Sequence, residues 1–283
     1  MLSKEWNEWL MINAARGCSR GNLLSDLTQK GGFALEVAEQ AIEDVWDDIA
    51  RCTTISKIIK GESIRPVIDI TSNSLKVDDR CISILMTCEK PHIVFFDNVL
   101  SETECDELIA LAEERIQRSQ VVDASSGDSA LHGARTSHGA FFKRQESEII
   151  TTIEKRLTQI THWPIEYGEG LQVMRYQIGE EYKTHYDWFD PSKTGSSKHL
   201  SQGGQRVGTF IMYLSDVEQG GGTRFPHVGL EVRPKKGAAV FFANVTENGV
   251  PDRQTWHAGA PVISGVKYIA TKWMRESTNQ SSR

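Results

Sequence analysis

From Gly170 to the C terminus, the chain is a series of short apolar or alternating segments separated by Gly, Pro, Asn and Asp. The segments are LQVMRYQ, GTFIMYL, LEVRP, AAVFF and KYIATKWM. Segments of this length with turn residues between them are typical of strands in a β sandwich or jelly roll. We therefore predict an α+β protein whose main domain is mostly β.

Two helices are predicted immediately before these strands, where they would brace one face of the sheet. The strand-like run PHIVFFDNVL begins at Pro91, and Ser101 with Glu104 then forms the capping-box pattern that starts many helices. A second helix is predicted from about Ser147 to Ile160, because its apolar residues recur at helical spacing.

The first 50 residues predict a small bundle of three short helices. Ser3 and Ser19 are candidate caps, and Gly17 and the Gly31-Gly32 pair are candidate breaks. Two interpretations of this helical domain stay open. It is either a docking module for a partner or a second copy of the chain, or an appendage that packs on the main domain.

The remaining boundaries follow from changes in composition. Residues 51–90 are predicted to be a linker and a leading strand, because polar runs interrupt the apolar triplets. The main domain is predicted over 91–276, and the polar residues 277–283 are predicted to be a disordered tail.

Charge and cysteine content exclude some classes of partner. The 283 residues include 32 Lys and Arg against 38 Asp and Glu, a net charge of −6, which weighs against nucleic acid. Five cysteines are present without a C-x-x-C pair, so we expect reduced thiols. The start has no apolar run of signal-peptide length, and no run reaches the ~18 apolar residues of a membrane span. A cytoplasmic protein without membrane contact is expected.

The segment YKTHYDWF is the strongest chemical signal. His185 and Asp187 alternate, so on a strand both side chains project to one face. With His257 from a later segment, they would form a set of two histidines and one carboxylate, which suits non-haem Fe(II). H-x-D alone arises often by chance, so a surface His185 and a core His257 beside Trp256 remain alternatives.

Further polar residues near these segments are candidates for binding. A strand could carry the Lys267 ammonium into the barrel, where a buried lysine needs a counter-anion such as a dicarboxylate cosubstrate. The alternative is a surface lysine on an edge strand, and the alternation does not decide between them. Hydroxyl and guanidinium groups inside a barrel are likewise costly unless they bind a ligand, so further candidates for binding are Tyr176, Tyr182, Arg206 and Thr223. The alternative is that these are residues of the rim and of structural turns.

The residues from about Pro91 to Arg275 resemble a known family. The matching text is GEGLQVMRYQIGEEYKTHYDWFDP, QRVGTFIMYLSDVEQGGGTRFP, LEVRPKKGAAVFF and WHAGAPVISGVKYIATKWMRE, in that order. It is similar to the prolyl 4-hydroxylase branch of the Fe(II)/2-oxoglutarate dioxygenases, particularly its bacterial members. The resemblance implies a double-stranded β-helix, or jelly roll, with supporting helices. It also implies an enzyme that hydroxylates a peptidyl proline with Fe(II), 2-oxoglutarate and O₂, with ascorbate as a candidate reductant.

The resemblance also assigns roles to individual residues. It implies His185, Asp187 and His257 as iron ligands, with no side chain acting as an acid or base. It implies Lys267, Tyr176 and Thr223 as the residues that bind the distal carboxylate of 2-oxoglutarate. It implies Tyr182 and Arg206 as residues that line the peptide-proline site.

The chain departs from the family pattern at the end of the last motif. Arg275 stands where plant and algal relatives have a histidine, which makes it a further candidate for substrate binding. Tyr268 replaces a tryptophan. The substrate therefore stays open between peptidyl proline and a free amino acid or another peptide side chain. A catalytically silent binding scaffold is a further alternative. A hydrolytic zinc site would leave Lys267 without a role.

The polar, glycine-rich segment from Trp188 to Gln205 lies between the first two ligands and Arg206. Its composition favours a mobile lid over the substrate, with a disordered connection as the alternative.

Overall fold

The computed structural model describes residues 2–15, 18–46, 63–77, 80–118, 121–122, 129–130 and 136–279. The chain divides into two compact units, Met1–Glu62 and Ser63–Arg283. Within the described residues, no helix is both long enough and apolar enough to cross a membrane.

The first unit contains helices α1 (Lys4–Ala15), α2 (Arg20–Gln29) and α3 (residues 35–46). The Ser19 side chain caps α2 by accepting a hydrogen bond from the backbone N–H of Asn22, at 3.3 Å. All three helices contribute to one apolar cluster, whose buried members include Leu10, Leu23, Leu27, Ala38, Ile42 and Val45. The docking role of this unit stays a prediction, and residues 47–50 of the predicted domain lie outside the described residues.

The second unit is rich in strands. In chain order they are β1 (Ser74–Val77), β2 (Arg80–Cys88), β3 (Ile93–Asp97), β4 (Gln117–Arg118), β5 (Val121–Val122), β6 (Ser129–Ala130), β7 (His138–Phe142), β8 (Gly168–Tyr176), β9 (Tyr182–His185), β10 (Arg206–Tyr213), β11 (Gln219–Gly220), β12 (Thr223–Phe225), β13 (Leu230–Val232), β14 (Ala239–Ala243), β15 (His257–Gly259), β16 (Val262–Ser264) and β17 (Lys267–Arg275). Its helices are α4 (Glu102–Glu113), α5 (Glu148–Thr161) and the short α6 (Ser196–Leu200). Three 3₁₀ turns cover Ile165–Tyr167, Pro226–Val228 and Arg253–Thr255.

The described strands form two larger sheets. The main sheet has the order β1-β2-β3-β14-β10-β17-β8-β7-β4, and the second sheet has the order β13-β12-β15-β9. β11 pairs with β16, and β5 pairs with β6. A mostly β domain with a few helices is therefore observed, as the sequence predicts.

Two apolar layers cover the two faces of the main sheet. Alternate residues of a strand point to opposite faces, so Phe241 belongs to the layer that includes α4 and α5, while Phe242 belongs to the layer between the sheets. β10 and β14 are apolar almost throughout because both of their faces are buried.

Both supporting helices begin as the sequence predicts. Ser101 and Glu104 form a complete capping box at α4, and Ser147 caps α5 by accepting from the N–H of Ile150. The apolar face of α5 packs into the core with Ile150, Ile153, Leu157 and Ile160.

The limits of the second unit differ from the boundaries drawn at residues 91 and 277. β1 and β2 extend the main sheet, and β2 is the leading strand that the sequence predicts. The half-exposed and polar β1 is not evident from the sequence. Residues 51–62 of the predicted linker lie outside the described residues. At the other end, the N–H of Ser277 donates to the Gly203 carbonyl at 3.0 Å, and the N–H of Asn279 donates to the Glu166 carbonyl at 2.9 Å. Residues 277–279 are thus held against the domain, and residues 280–283 lie outside the described part.

Candidate active site

The three predicted ligands meet at one end of the second sheet. His185 ends β9 and His257 begins β15, and the two residues face each other in the antiparallel register. Asp187 follows β9, and its carboxylate lies 3.5 Å from Nε2 of His185 and 3.8 Å from Nε2 of His257. One ligand atom from each residue lies within 4.8 Å of the others. A metal ion with bonds of about 2.1 Å would fit among them after a small contraction.

Backbone carbonyls fix the orientation of both imidazoles. Nδ1 of His185 lies 2.9 Å from the Lys183 carbonyl, and Nδ1 of His257 lies 2.9 Å from the Thr255 carbonyl. A carbonyl only accepts, so each Nδ1 carries the proton and each Nε2 presents a lone pair toward the carboxylate. Metal-binding histidines have this arrangement in general.

A buried hydrogen-bond chain holds the Asp187 carboxylate. The Thr209 hydroxyl donates to Oδ2 of Asp187 at 2.8 Å, and the Asn244 amide donates to the Thr209 oxygen at 2.8 Å. Both supporting residues are fully buried. These two hydrogen bonds leave the Asp187 carboxylate little freedom to rotate.

The titration of these groups favours the forms that bind metal. Burial lowers the pKa of His257 to about 4, so its imidazole is neutral at pH 7. Burial alone would raise the pKa of the Asp187 carboxyl. Interactions with the adjacent His257 and His185 imidazoles and with the Arg206 guanidinium outweigh that effect and hold this pKa well below its usual range. A carboxylate beside neutral imidazoles is the protonation state that a divalent metal requires.

Lys267 is buried without an acidic partner. It begins β17 opposite Tyr176 of β8, and only 1% of the residue is exposed. Its Nζ lies 5.2 Å from the centre of the Tyr176 ring, and no carboxylate of the described residues pairs with it. Burial lowers the pKa of Lys267 to about 7. An ammonium in this position needs an anion that the protein itself does not provide.

The predicted site residues other than Arg275 line one cavity of roughly 1060 Å³. They are Tyr176, Tyr182, His185, Asp187, Arg206, Thr223, His257 and Lys267. Tyr182 stacks on the His185 imidazole, with ring centres 3.6 Å apart. The Thr223 oxygen accepts a hydrogen bond from the Tyr213 hydroxyl at 2.8 Å, so its own proton is free to donate.

Two arginines share one largely buried carboxylate, that of Glu169, in the wall of the cavity. Arg206 binds both oxygens of Glu169, at 2.6 and 2.8 Å, and Nε of Arg275 binds one of them at 2.7 Å. Burial would raise the pKa of Glu169, but the two guanidinium groups lower it to about 2. Arg275 lies behind this carboxylate and not in the cavity lining, whereas Arg206 lies 4.0 Å from the Trp273 ring inside the cavity.

The sequence reasoning missed several residues of the cavity and its support. Besides Glu169, Thr209 and Asn244, these are Thr271 and Trp273, whose hydroxyl oxygen and indole nitrogen are buried without a hydrogen-bond partner. Both line the cavity, because they lie on the same face of β17 as Lys267. The alternation that begins at Lys267 is the signal that could have found them.

The chain matches known proteins across this site. The model of the 2OG-Fe(II) oxygenase superfamily matches residues 171–275, a stretch that includes all the predicted site residues. Prolyl 4-hydroxylase 2 of Arabidopsis thaliana is 37% identical over 206 residues, which cover 65% of this chain and 67% of that protein. Prolyl 4-hydroxylase 5 of the same plant is 40% identical over 204 residues, which cover 65% of this chain and 68% of that protein.

A solved structure is similar in both sequence and fold. It is the 2OG complex of the viral collagen prolyl hydroxylase from Paramecium Bursaria Chlorella virus-1. The two chains are 31% identical with a TM-score of 0.51, over 67% of this chain and 99% of the viral one.

Proposed function

Because the chain belongs to the prolyl 4-hydroxylase branch of the 2-oxoglutarate- and Fe(II)-dependent oxygenases, we propose that it hydroxylates a proline side chain within a peptide. It is a dioxygenase that uses Fe(II), 2-oxoglutarate and O₂. The observation that carries the proposal is that one cavity contains both a His-Asp-His set and a buried lysine, Lys267, which has no acidic partner among the described residues.

The metal site of the proposal consists of His185, Asp187 and His257. Together with 2-oxoglutarate and O₂, the bound iron supplies the oxidising power that converts a C–H bond into C–OH while the cosubstrate loses CO₂ and becomes succinate. The protein orients the two imidazoles through the Lys183 and Thr255 carbonyls and the carboxylate through Thr209. No side chain is assigned as an acid or base.

Lys267, Tyr176 and Thr223 form the proposed site for the distal carboxylate of 2-oxoglutarate. The Lys267 ammonium supplies the charge, and the Thr223 hydroxyl has a free proton because its oxygen already accepts from Tyr213. Tyr176 is 3% exposed and lies beside Lys267, where its ring excludes water from the ion pair.

Tyr182 and Arg206 form part of the proposed peptide site. Tyr182 stacks on the His185 imidazole, and Arg206 donates to the backbone carbonyl of Asp187 at 3.4 Å. The choice of a peptidyl proline rests on the named relatives, which are prolyl hydroxylases. A free amino acid or another peptide side chain is the alternative substrate, and Arg275 is the departure that leaves it open.

Three wider assignments complete the proposal. We assign the second unit to the jelly-roll class, because two packed sheets surround the cavity. A cytoplasmic location is supported by free thiols at Cys18, Cys81, Cys88 and Cys105.

The helical unit is proposed as a docking module for a partner or a second copy of the chain. The proposal is supported by the paired Trp6 and Trp9 side chains beside its core.

A turnover experiment tests the function directly. The protein is incubated with Fe(II), 2-oxoglutarate and a library of proline-containing peptides, and succinate and peptide mass are measured together. We expect one oxygen added at proline for each succinate formed. The matched library with alanine for proline, and the variant His185→Ala, should both give no added oxygen. Oxygen found on another residue type would replace the prolyl assignment with the alternative.

A further inference from the structure

Residues 189–205, here named the wall segment, lie between Asp187 and the Arg206 that begins β10. The segment contains α6 and contributes Phe189, Gly195, Ser196 and His199 to the cavity lining. Its composition predicts a mobile lid. Its contacts show a segment that is held at both of its ends and at His199.

The two ends of the wall segment are joined by one side chain. The amide of Gln205 donates to the Phe189 carbonyl at 2.7 Å and accepts from the Phe189 N–H at 2.8 Å. Gln205 is 5% exposed, and its own N–H donates to the Glu276 carboxylate at 2.7 Å. The two-point contact closes the segment into a loop whose ends cannot separate without breaking buried hydrogen bonds.

Arg275 holds the C-terminal part of the wall segment. Its Nη1 donates to the carbonyls of His199 and Gly204, at 3.1 and 2.5 Å, while its Nε donates to Glu169. Only 3% of the residue is exposed, and it stands at the end of β17, a long central strand of the main sheet. The rigid planar guanidinium can reach the carboxylate and both carbonyls at the same time.

Phe189 links the Arg275 guanidinium to side chains that line the cavity. Its ring lies 4.8 Å from the Arg206 guanidinium carbon and 4.9 Å from that of Arg275, and it stacks on His199 at 4.9 Å. Arg206 and Arg275 are also coupled through Glu169. Arg275 therefore restrains Phe189 and His199, which face the cavity, while Arg206 keeps its own contact with both Glu169 oxygens.

We propose that Arg275 is a positioning residue for peptide recognition. It holds the wall segment as a fixed side of the substrate cavity, and it touches neither the metal ligands nor the site of the cosubstrate. The inference rests on the proposed function and goes beyond it. Loss of Arg275 weakens peptide binding and leaves the iron and 2-oxoglutarate sites as they are.

Two variants, Arg275→Lys and Arg275→Gln, test the proposal. Lysine keeps a charge for Glu169 but lacks the fork, and glutamine loses the charge as well. We expect the peptide KM to rise by about tenfold for glutamine, and by less for lysine, because buried charge-assisted hydrogen bonds are lost. Turnover number and the KM for 2-oxoglutarate should stay within about twofold of the parent, since Arg275 makes no transition-state contact.

Limited proteolysis gives a second readout that needs no activity. Lys193 and Lys198 are exposed trypsin sites inside the wall segment. We expect faster cleavage at these lysines in both variants, in the order Gln, then Lys, then parent. The fragments are identified by mass, so that cuts elsewhere in the chain are not counted.

Arg156→Lys is the matched control. Arg156 is also a buried arginine, 2% exposed, which pairs with Glu104 at 2.7 Å and donates to the Val99 carbonyl. It lies on α5, away from the wall segment. We expect this variant to lower thermal stability but to keep the parent's peptide KM and the parent's cleavage rate at Lys193 and Lys198.

The outcomes separate the inference from the function on which it rests. Parent-like cleavage and peptide KM in both Arg275 variants would overturn the inference. So would a fall in turnover number or a rise in the 2-oxoglutarate KM as large as the change in peptide KM. A parent protein that oxidises no proline peptide would overturn the proposed function and the substrate half of the inference. The cleavage rates would still decide whether Arg275 fastens the segment.

Discussion

Lys267 and Lys272 lie on the same strand, β17, and both are buried, yet the protein treats their charges in opposite ways. Lys272 faces the helices, where its ammonium contacts the Glu154 carboxylate of α5 and the Glu169 carbonyl. Lys267 faces the cavity and has no acidic partner among the described residues. A buried charge that is paired within the fold belongs to its stability. A buried charge that is left unpaired in a cavity indicates a site where a ligand supplies the opposite charge.

The first prediction concerns the paired lysine. In Lys272→Met the Glu154 carboxylate, 1% exposed, loses its cation inside the protein. We expect the free energy of unfolding to fall by about 3–5 kcal/mol, the usual cost of leaving one half of a buried pair. Denaturant melts measure this loss. Affinity for 2-oxoglutarate in the folded protein should not change, and a change above about threefold would show that the two faces of β17 are coupled.

The second prediction concerns the unpaired lysine, and here the free energy of unfolding is expected to rise. In Lys267→Met the unpaired ammonium is removed, so the protein without cosubstrate should become more stable, by roughly 2–4 kcal/mol at pH 7, because an unfavourable burial disappears. The Kd for 2-oxoglutarate, measured by calorimetry without O₂, should rise about 100-fold, since a buried ion pair with the ligand is lost. A destabilised variant with normal affinity would remove the contrast between the two lysines.

Strand alternation puts these two lysines on opposite faces, but the sequence alone does not tell which face lines the cavity. The text KYIATKW fixes the alternation, whereas the partner of Lys272 comes from α5, far away in the chain. The same limit explains Arg275. Its family position suggested substrate binding, whereas its surroundings consist of Glu169 and two carbonyls of the wall segment. His185, Asp187 and His257 were accessible from sequence because local spacing and one long matching text define them.

The third prediction extends the comparison to the buried anion. Asp187 is oriented by Thr209, and Thr209 by Asn244. In Thr209→Val the shape is kept and the donor is lost, so we expect the affinity for a divalent metal to fall by about 10- to 100-fold, the usual effect of removing such support. Binding of Mn(II) or Co(II), followed by spectroscopy or calorimetry, measures it. Thr209→Ser keeps the hydroxyl and serves as the control. An equal loss of metal affinity in both variants would point to packing and not to the hydrogen bond.

The smallest predicted effect is the pH dependence of cosubstrate binding, and it follows from the charge on Lys267. Burial lowers the pKa of the free site to about 7, and a bound carboxylate must raise it. Between these two values binding takes up a proton, so affinity is full below pH 7 and falls by up to about tenfold per pH unit above it. Calorimetry in buffers of different ionisation enthalpy counts the proton taken up.

The pH dependence of stability, in the protein without cosubstrate, has the opposite sign to the pH dependence of cosubstrate affinity. There the unfolded lysine binds the extra proton between pH 7 and its ordinary pKa of 10.5, so stability rises with pH over that range. Lys267→Met should lose both dependences while Lys272→Met keeps them. A flat affinity profile in the parent would mean that Lys267 is already paired before the cosubstrate arrives, and the difference between the two lysines would then be one of position alone.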